Sequence, residues 1–406
     1  MRIRDFDIKP ETFLKGLILT NGIEFSPAAL LFANTHNAKR QNMVYNMPNN
    51  TEAFRPQELF LNSIEDDYTV VTSCVASSTK RQSVLLDVYD NELSAFYNGQ
   101  KFEHIKINYV SEPAYYSKLC RDGSQVKEYV SACGYDELNI IPWSGCAASK
   151  NCLFCGVNSF LDSNQTTAFS VSNHYKEYKG YKLENYIANL KESVSIALLD
   201  SCYQHHAHII IVSGNLKDNM LNEQTRICGR IANSIRELVE RQSAEGIVLV
   251  ITPPLDTDIL YQIKEDGIAK TVFNLEVGTK QAFAKYCPGK NRIGYHYFID
   301  RLLKSVDVFG KGNSWTNFVY GLEPNMDLLK VCNELAQCGI VPSANILHLD
   351  KGNRLDCQPP ELPDTFQFFV ELDKINRRFE HAPYYCSLAL RTSLTNEVHD
   401  GRIKEY

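Results

Sequence analysis

Three cysteines carry the first chemical signal in this chain of 406 residues. They lie in the run Cys146-Ala-Ala-Ser-Lys-Asn-Cys152-Leu-Phe-Cys155. Thiolates are soft ligands suited to iron-sulfur clusters. Three of them on one short loop can wrap one face of a [4Fe-4S] cubane and leave the fourth iron open to another ligand. The competing reading is a structural zinc site, which needs a fourth donor. His174 and Cys202 are available, but neither has finger-like spacing from the triplet. The other cysteines, out of 13 in all, form no second compact triplet, and free cysteine is an ordinary small core residue.

The triplet must be positioned by the elements around it. It follows Glu137-Leu-Asn-Ile-Ile-Pro, the first of six short apolar runs; the others are Ile209 to Val212, Ile247 to Ile251, Thr271 to Leu275, Thr316 to Tyr320 and Val341 to Leu347. Such runs read as buried parallel strands. Between them lie segments with an apolar stripe at helical spacing, such as Leu183, Tyr186, Ile187, Leu190, Val194 and Leu198. Alternating strands and helices build a parallel sheet, and six units suggest a partial (β/α)6 barrel of TIM type, with an open doubly wound sheet as the alternative. In both, ligands collect at the carboxyl ends of the strands, where the cysteine loop falls.

Ahead of these units, Ser83 to Tyr89, Leu93 to Tyr97 and Ile105 to Val110 read as an antiparallel meander, with Asp90-Asn91 and Asn98-Gly99 as its turns. The first 60 or so residues show little periodicity and read as irregular or partly helical. The expected organisation is an α+β N-terminal domain over 1–134, the barrel over 135–380 and a C-terminal tail over 381–406 that folds back over the barrel mouth or its open flank. A net charge of -6 gives no reason to expect nucleic acid or an anionic membrane as partner. The N-terminus lacks the apolar run of a signal peptide and no window is long enough to span a bilayer, so a cytoplasmic protein is expected.

With Phe154 before its last cysteine, the triplet resembles the radical S-adenosylmethionine (SAM) superfamily, in a variant CX5CX2C spacing. The strand ends extend the resemblance toward the biotin synthase, lipoyl synthase and tyrosine lyase branch. Ser213-Gly214-Asn215 after strand two is similar to the glycine-containing segment that meets the methionyl amino group. Asn274-Leu275-Glu276 after strand four is similar to the segment whose acid contacts the ribose hydroxyls. Arg292, with Lys290 or Arg301 as alternatives, is implied to pair with the SAM carboxylate. Gly321 in Tyr320-Gly321-Leu322-Glu323 resembles the adenine-supporting segment. His348, before Leu349-Asp350-Lys351-Gly352, is expected either to face substrate or to be a hydrogen-bonded structural residue, and Cys287 to lie near the cavity. The run His205-His206-Ala207-His208 precedes strand two and reads as structural.

What the resemblance implies is specific. A reduced [4Fe-4S] cluster passes one electron to SAM, which splits into methionine and a 5′-deoxyadenosyl radical that takes hydrogen from a substrate. The implied partners are a small-molecule biosynthetic substrate and an external one-electron reductant such as flavodoxin or ferredoxin. Alternatives are a peptide substrate, bound by strand addition to the N-terminal meander, or a non-enzymatic zinc or iron-sulfur protein.

Overall fold

The structure, a computed structural model, describes residues 2–3, 6–40, 55–77, 81–134, 136–143, 145–147, 152–157, 181–203, 208–240, 243, 245–349, 352–382 and 390–405. The chain opens with β1 (Arg2–Ile3), β2 (Phe6–Ile8), α1 (Pro10–Asn21), β3 (Ile23–Phe25) and α2 (Pro27–Thr35). Then come β4 (Glu58–Ser63), β5 (Thr69–Ser73), β6 (Val84–Tyr89), β7 (Glu92–Tyr97), β8 (Gln100–Lys101) and β9 (Ile105–Tyr109). One sheet runs β3-β6-β7-β9-β4-β5, with β8 on β7. The predicted meander is there as β6, β7 and β9. Its turns hold Asp90, Asn91, Asn98 and Gly99 at positive φ, as tight hairpins require.

Helix α1 was illegible as an amphipathic pattern because it has no wet face. It is wedged between β4, β5 and β6 on one side and the later helix α10 (Leu362–Arg378) on the other. Even Glu11, Thr12 and Lys15 are buried. Gly16 permits the contact: a Cβ there would stand 2.8 Å from Phe366 and 2.9 Å from Leu362.

The second sheet runs β10 (Val130–Cys133), β11 (Glu137–Ile140), β12 (His208–Val212), β13 (Ile247–Val250), β14 (Ile268–Val272), β15 (Ser314–Tyr320) and β16 (Ile340–Ile346), in that spatial order. From β11 on every pairing is parallel. The crossovers carry α3 (Tyr181–Ala197), α4 (Leu221–Val239), α5 (Asp258–Glu265), α6 (Lys280–Tyr286), α7 (Pro288–Ile293), α8 (Tyr295–Phe309) and α9 (Asn325–Gln337). A doubly wound sheet reverses strand order at a switch point. This order never reverses, so right-handed crossovers stack the helices on one face. The architecture is the partial (β/α)6 barrel.

Side-chain alternation divides the sheet into two cores. Ile209, Ile211, Ile247 and Leu249 join the helices in the main core. Ile210, Val248, Val272, Trp315 and Val341 form a separate layer on the other face, one residue from each of β12 to β16. Such layers fill a barrel interior.

Strand β10, inside the stretch assigned by sequence to the N-terminal region, is the antiparallel edge of the barrel sheet. The tail returns along the other edge: Ile346 donates to the Thr392 carbonyl at 2.8 Å and Ser73 to that of Arg391 at 3.0 Å. It goes on to α11 (Thr395–His399) and β17 (Ile403–Glu405), which pairs antiparallel with β2. Among the described residues no helix is long and apolar enough to cross a membrane.

Candidate metal centre

The loop leaving β11 is stapled to the end of β12. Buried Trp143 donates its indole N–H to the Gly214 carbonyl at 2.6 Å, and the Ser213 hydroxyl donates to the Trp143 carbonyl at 3.2 Å. Ala147 N–H donates to the Asn215 carbonyl at 2.7 Å. In return Asn215 N–H donates to the Cys146 sulfur at 3.3 Å. Glycine is required beside it: a Cβ on Gly214 would lie 2.7 Å from the Cys146 Cβ and would also strike the Gly145 carbonyl. Ser213, Gly214 and Asn215 thus set the first cysteine, with a backbone N–H on its sulfur.

The other two cysteines are pinned elsewhere. Leu153 donates to the Tyr286 carbonyl at the end of α6 at 2.8 Å, and Arg354, after β16, donates to the Leu153 carbonyl at 2.7 Å. The Cys287 thiol donates to Cys152, and this bond, aided by the charge of Lys290, holds Cys152 below the ordinary thiol range despite burial. Burial and the same bond push Cys287 up. Cys155 is pushed up to about 12, chiefly by burial, with Cys152 and Cys146 adding to the rise. Cys152 and Cys146 thus both act on Cys155 through their charge, although among the described residues no three His, Cys, Asp or Glu side chains are drawn together tightly enough to hold a metal ion.

The donor set suits an iron-sulfur cluster: three half-buried thiols at the carboxyl edge of a parallel sheet, one with a backbone N–H on its sulfur. It suits zinc less well. Cys202 lies in the turn Ser201–Tyr203 before β12, at the opposite edge of the sheet; His174 lies outside the described residues.

Strand four brings a carboxylate and a cation to the same place. Glu276 takes a left-handed φ of 70° while its backbone pairs with β15, donating to the Asn317 carbonyl at 3.1 Å and accepting from Val319 at 2.7 Å. Its side chain meets Lys290 Nζ at 2.6 Å, and Lys290 also donates to the Asn274 carbonyl at 2.8 Å. Burial works to lower the Lys290 pKa, but Glu276, Cys152 and Cys287 together hold it above the usual value.

Of the three basic residues weighed from sequence, Lys290 is therefore the one beside the cysteines. Arg292 pairs with Asp218, beyond the end of β12, at 2.9 Å and is half exposed. Arg301 donates to the Pro254 carbonyl at 3.0 Å, beyond β13, and lies over the Tyr297 ring.

The remaining strand ends make internal contacts. Gly321 has φ 111°, and a Cβ there would stand 2.9 Å from Pro360. Glu323 caps α6, accepting from the N–H and hydroxyl of Thr279, each at 3.0 Å. His348 Nδ1 bonds the Ile346 carbonyl at 2.9 Å, and burial pushes its pKa down to about 4. It is neutral at pH 7. His208, first residue of β12, is buried with its pKa pushed down to about 3, as befits the amino edge; His205, His206, Asp350 and Lys351 lie outside the described residues.

Sequence reasoning missed the Trp143 staple, the Glu276–Lys290 pair and the contact of Cys287 with Cys152. The signal for the last two was Cys287-Pro-Gly-Lys290 opening the helix after strand four.

No family model matches the chain. Among curated proteins it is similar to bacteriochlorophyllide c C-7(1)-hydroxylase of Chlorobaculum limnaeum, 24% identical over 219 residues, 53% of this chain and 52% of that protein. The chain thus spans about half the length of the curated relative it matches. Among solved structures it matches HydG, a maturase of the [FeFe]-hydrogenase, with a TM-score of 0.41 and 15% identity over 66% of this chain and 53% of that one. It also matches coproporphyrinogen III oxidase (HemN) of Escherichia coli, a radical SAM enzyme, with a TM-score of 0.38 and 13% identity over 67% and 60%. Both structures are too distant to carry weight by themselves.

Proposed function

We propose that this chain is a radical SAM enzyme in which Cys146, Cys152 and Cys155 hold a [4Fe-4S] cluster and the adjoining strand ends hold SAM. The observation that carries the reading is convergence: a soft triad after strand one, its first thiol touched by the backbone of strand two and its second lying beside Lys290 and Glu276 from strand four. A bound cluster would supply the electron that cleaves SAM to methionine and a 5′-deoxyadenosyl radical, the species that abstracts hydrogen from substrate.

The residues of the chain supply positioning. Asn215 N–H orients the Cys146 sulfur. Glu276, fixed at the mouth by its left-handed backbone, offers carboxylate oxygens to the ribose diol. Lys290 is near enough to Glu276 and Cys152 to neutralise the carboxylate of the methionyl part, the role first expected of Arg292. Arg292 bound to Asp218 instead braces the helix after strand four against the loop after strand two. Gly321 admits Pro360 to the floor of the adenine side.

The substrate is a small molecule of a biosynthetic pathway, a class to which the substrate named for the bacteriochlorophyllide hydroxylase belongs. A one-electron donor such as flavodoxin or ferredoxin reduces the cluster. Anaerobic purification tests the first half: a brown protein with iron and sulfide is expected, and a colourless one containing zinc overturns it. Incubation with dithionite and SAM tests the second, because formation of 5′-deoxyadenosine requires the radical enzyme.

A further inference from the structure

The interior face of the barrel changes character along its last strands. Its apolar layer lies in register across the sheet: Val250 stands beside Val272, Val272 beside Trp315 and Trp315 beside Val341. Two residues further on, the same face carries Asn274, Asn317 and Ser343, and two beyond those come Glu276, Val319 and Asn345. Exposure follows that alternation. Asn274, Asn317, Val319 and Asn345 are half-buried, whereas Leu275, Phe318, Ala344 and Ile346, which point at the helices, are buried. The barrel is filled at the level of Trp315, and solvent reaches the layer above.

The three asparagines form a row whose hydrogen-bonding capacity is only partly used. Asn274 Oδ1 accepts from the Asn317 N–H at 3.2 Å and Asn345 Oδ1 from the Thr392 hydroxyl at 2.8 Å. Among the described residues the NH2 groups of both, and the carboxamide of Asn317, are uncommitted. Val212 and Val250, half-buried against the apolar layer, supply a second wall of a different kind. Glu276 adjoins the row, its N–H donating to the Asn317 carbonyl at 3.1 Å, and its charge is met by Lys290. The other residues that follow the apolar layer on this face of the last three strands, Asn274, Asn317, Val319, Ser343 and Asn345, bear no charge.

We propose that Asn274, Asn317 and Asn345 determine substrate specificity, selecting an uncharged molecule with carbonyl or ring-nitrogen acceptors along one edge and an apolar body along the other. The proposal deepens the radical SAM reading and rests on it: Glu276, assigned there to the ribose, adjoins Asn317, so a molecule held by the row lies beside the SAM nucleoside. A carboxylate, phosphate or ammonium lowered into this layer would give up its hydration for neutral amide bonds, a costly exchange. A carbonyl oxygen trades water for an N–H donor at little cost, and its apolar edge rests on the two valines.

The test uses the full chain, reconstituted with iron and sulfide and loaded with SAM, and three probes that share one alkyl chain: hexanamide, hexanoate and hexylammonium. Saturation-transfer NMR should show hexanamide binding about tenfold more tightly than either ion. Asn317→Leu combined with Asn345→Leu, which keeps side-chain volume and is checked for native circular dichroism, should remove about that factor for hexanamide. Asn317→Asp should shift the preference to hexylammonium, a gain that a damaged fold does not produce. The proposal is overturned if hexanoate or hexylammonium binds the unaltered chain as well as hexanamide, if no probe binds, or if the double substitution weakens SAM as much as hexanamide, which would make the row part of the SAM site. Formation of 5′-deoxyadenosine by the same preparation reads the underlying assignment separately. The nucleoside without amide preference sinks the asparagine row alone; amide preference without the nucleoside sinks the radical reading and the substrate role with it.

Discussion

Two ion-pair clusters in this molecule use the same residue types for opposite ends. Between the N-terminal sheet and the tail, Glu58 is gripped by Lys39 and Arg391, with side-chain exposures of 0%, 1% and 5%. It also accepts from Gly134 N–H at 3.1 Å. Burial alone would raise its pKa, but the two cations hold it below the usual value. At the barrel mouth Lys290 and Glu276 are 13% and 16% exposed, and their neighbours are thiols. A sealed triad with both cations committed is an architectural clamp. A pair that keeps a path to solvent can exchange one partner for a ligand, which is what a binding site needs.

The comparison breaks most visibly if the clamp is cut. Glu58→Ala should cost about 3–5 kcal/mol, because it strands buried cations; denaturant unfolding at pH 7 would show it, and a loss below ~1 kcal/mol would mean that the clamp is no clamp. Next comes Glu137, in the same buried region at the start of β11, where burial pushes the pKa up to about 7 from 4.5. The folded chain holds this proton while the unfolded one releases it, so stability falls as pH rises from about 4.5 to about 7 and levels off above. Glu137→Gln should remove that slope and stabilise the protein at pH 8 by roughly 3 kcal/mol, read from unfolding midpoints across pH; an unchanged slope would assign the group an ordinary titration.

At the mouth the effects should fall on the ligands instead. Gly214→Ala drives a methyl into Cys146 and should cost roughly 1–3 kcal/mol, with iron content falling further than stability; iron assays per folded protein would separate the two. Lys290→Gln should leave iron content and unfolding near normal and weaken SAM binding about tenfold, or ~1.4 kcal/mol, by calorimetry on the reconstituted protein. Equal affinity would return the carboxylate role to Arg292. The smallest effect belongs to a surface control: breaking the exposed Arg230–Glu184 pair should change stability by less than ~1 kcal/mol.

Legibility in the sequence followed burial and range. The six parallel strands were readable because each is a short apolar run, and the meander because Asp90-Asn91 and Asn98-Gly99 accept positive φ. Strand β10, Val-Ser-Ala-Cys, has no such signature and exists because β11 offers it an edge. Helix α1 hid because its charges, Lys15 to Glu397 at 2.6 Å and Glu11 to Arg402 at 2.8 Å, are satisfied by residues of the distant tail. The cysteine triplet was legible as a local motif. Its contacts with Cys287 and Lys290 were not, since spacing along a chain does not reveal which side chain reaches across a barrel mouth.

The pairing of β17 with β2 has a consequence for synthesis. Residues 6–8 leave the ribosome before either large sheet exists, yet their partner at 403–405 emerges only after both sheets have been translated. Until it does, that strand edge and the polar groups of α1 wait without the tail that satisfies them. The newborn chain therefore carries that unpaired edge while the barrel is being made, and an insertion just ahead of β17 should slow its maturation more than the same insertion at the Asn98-Gly99 turn.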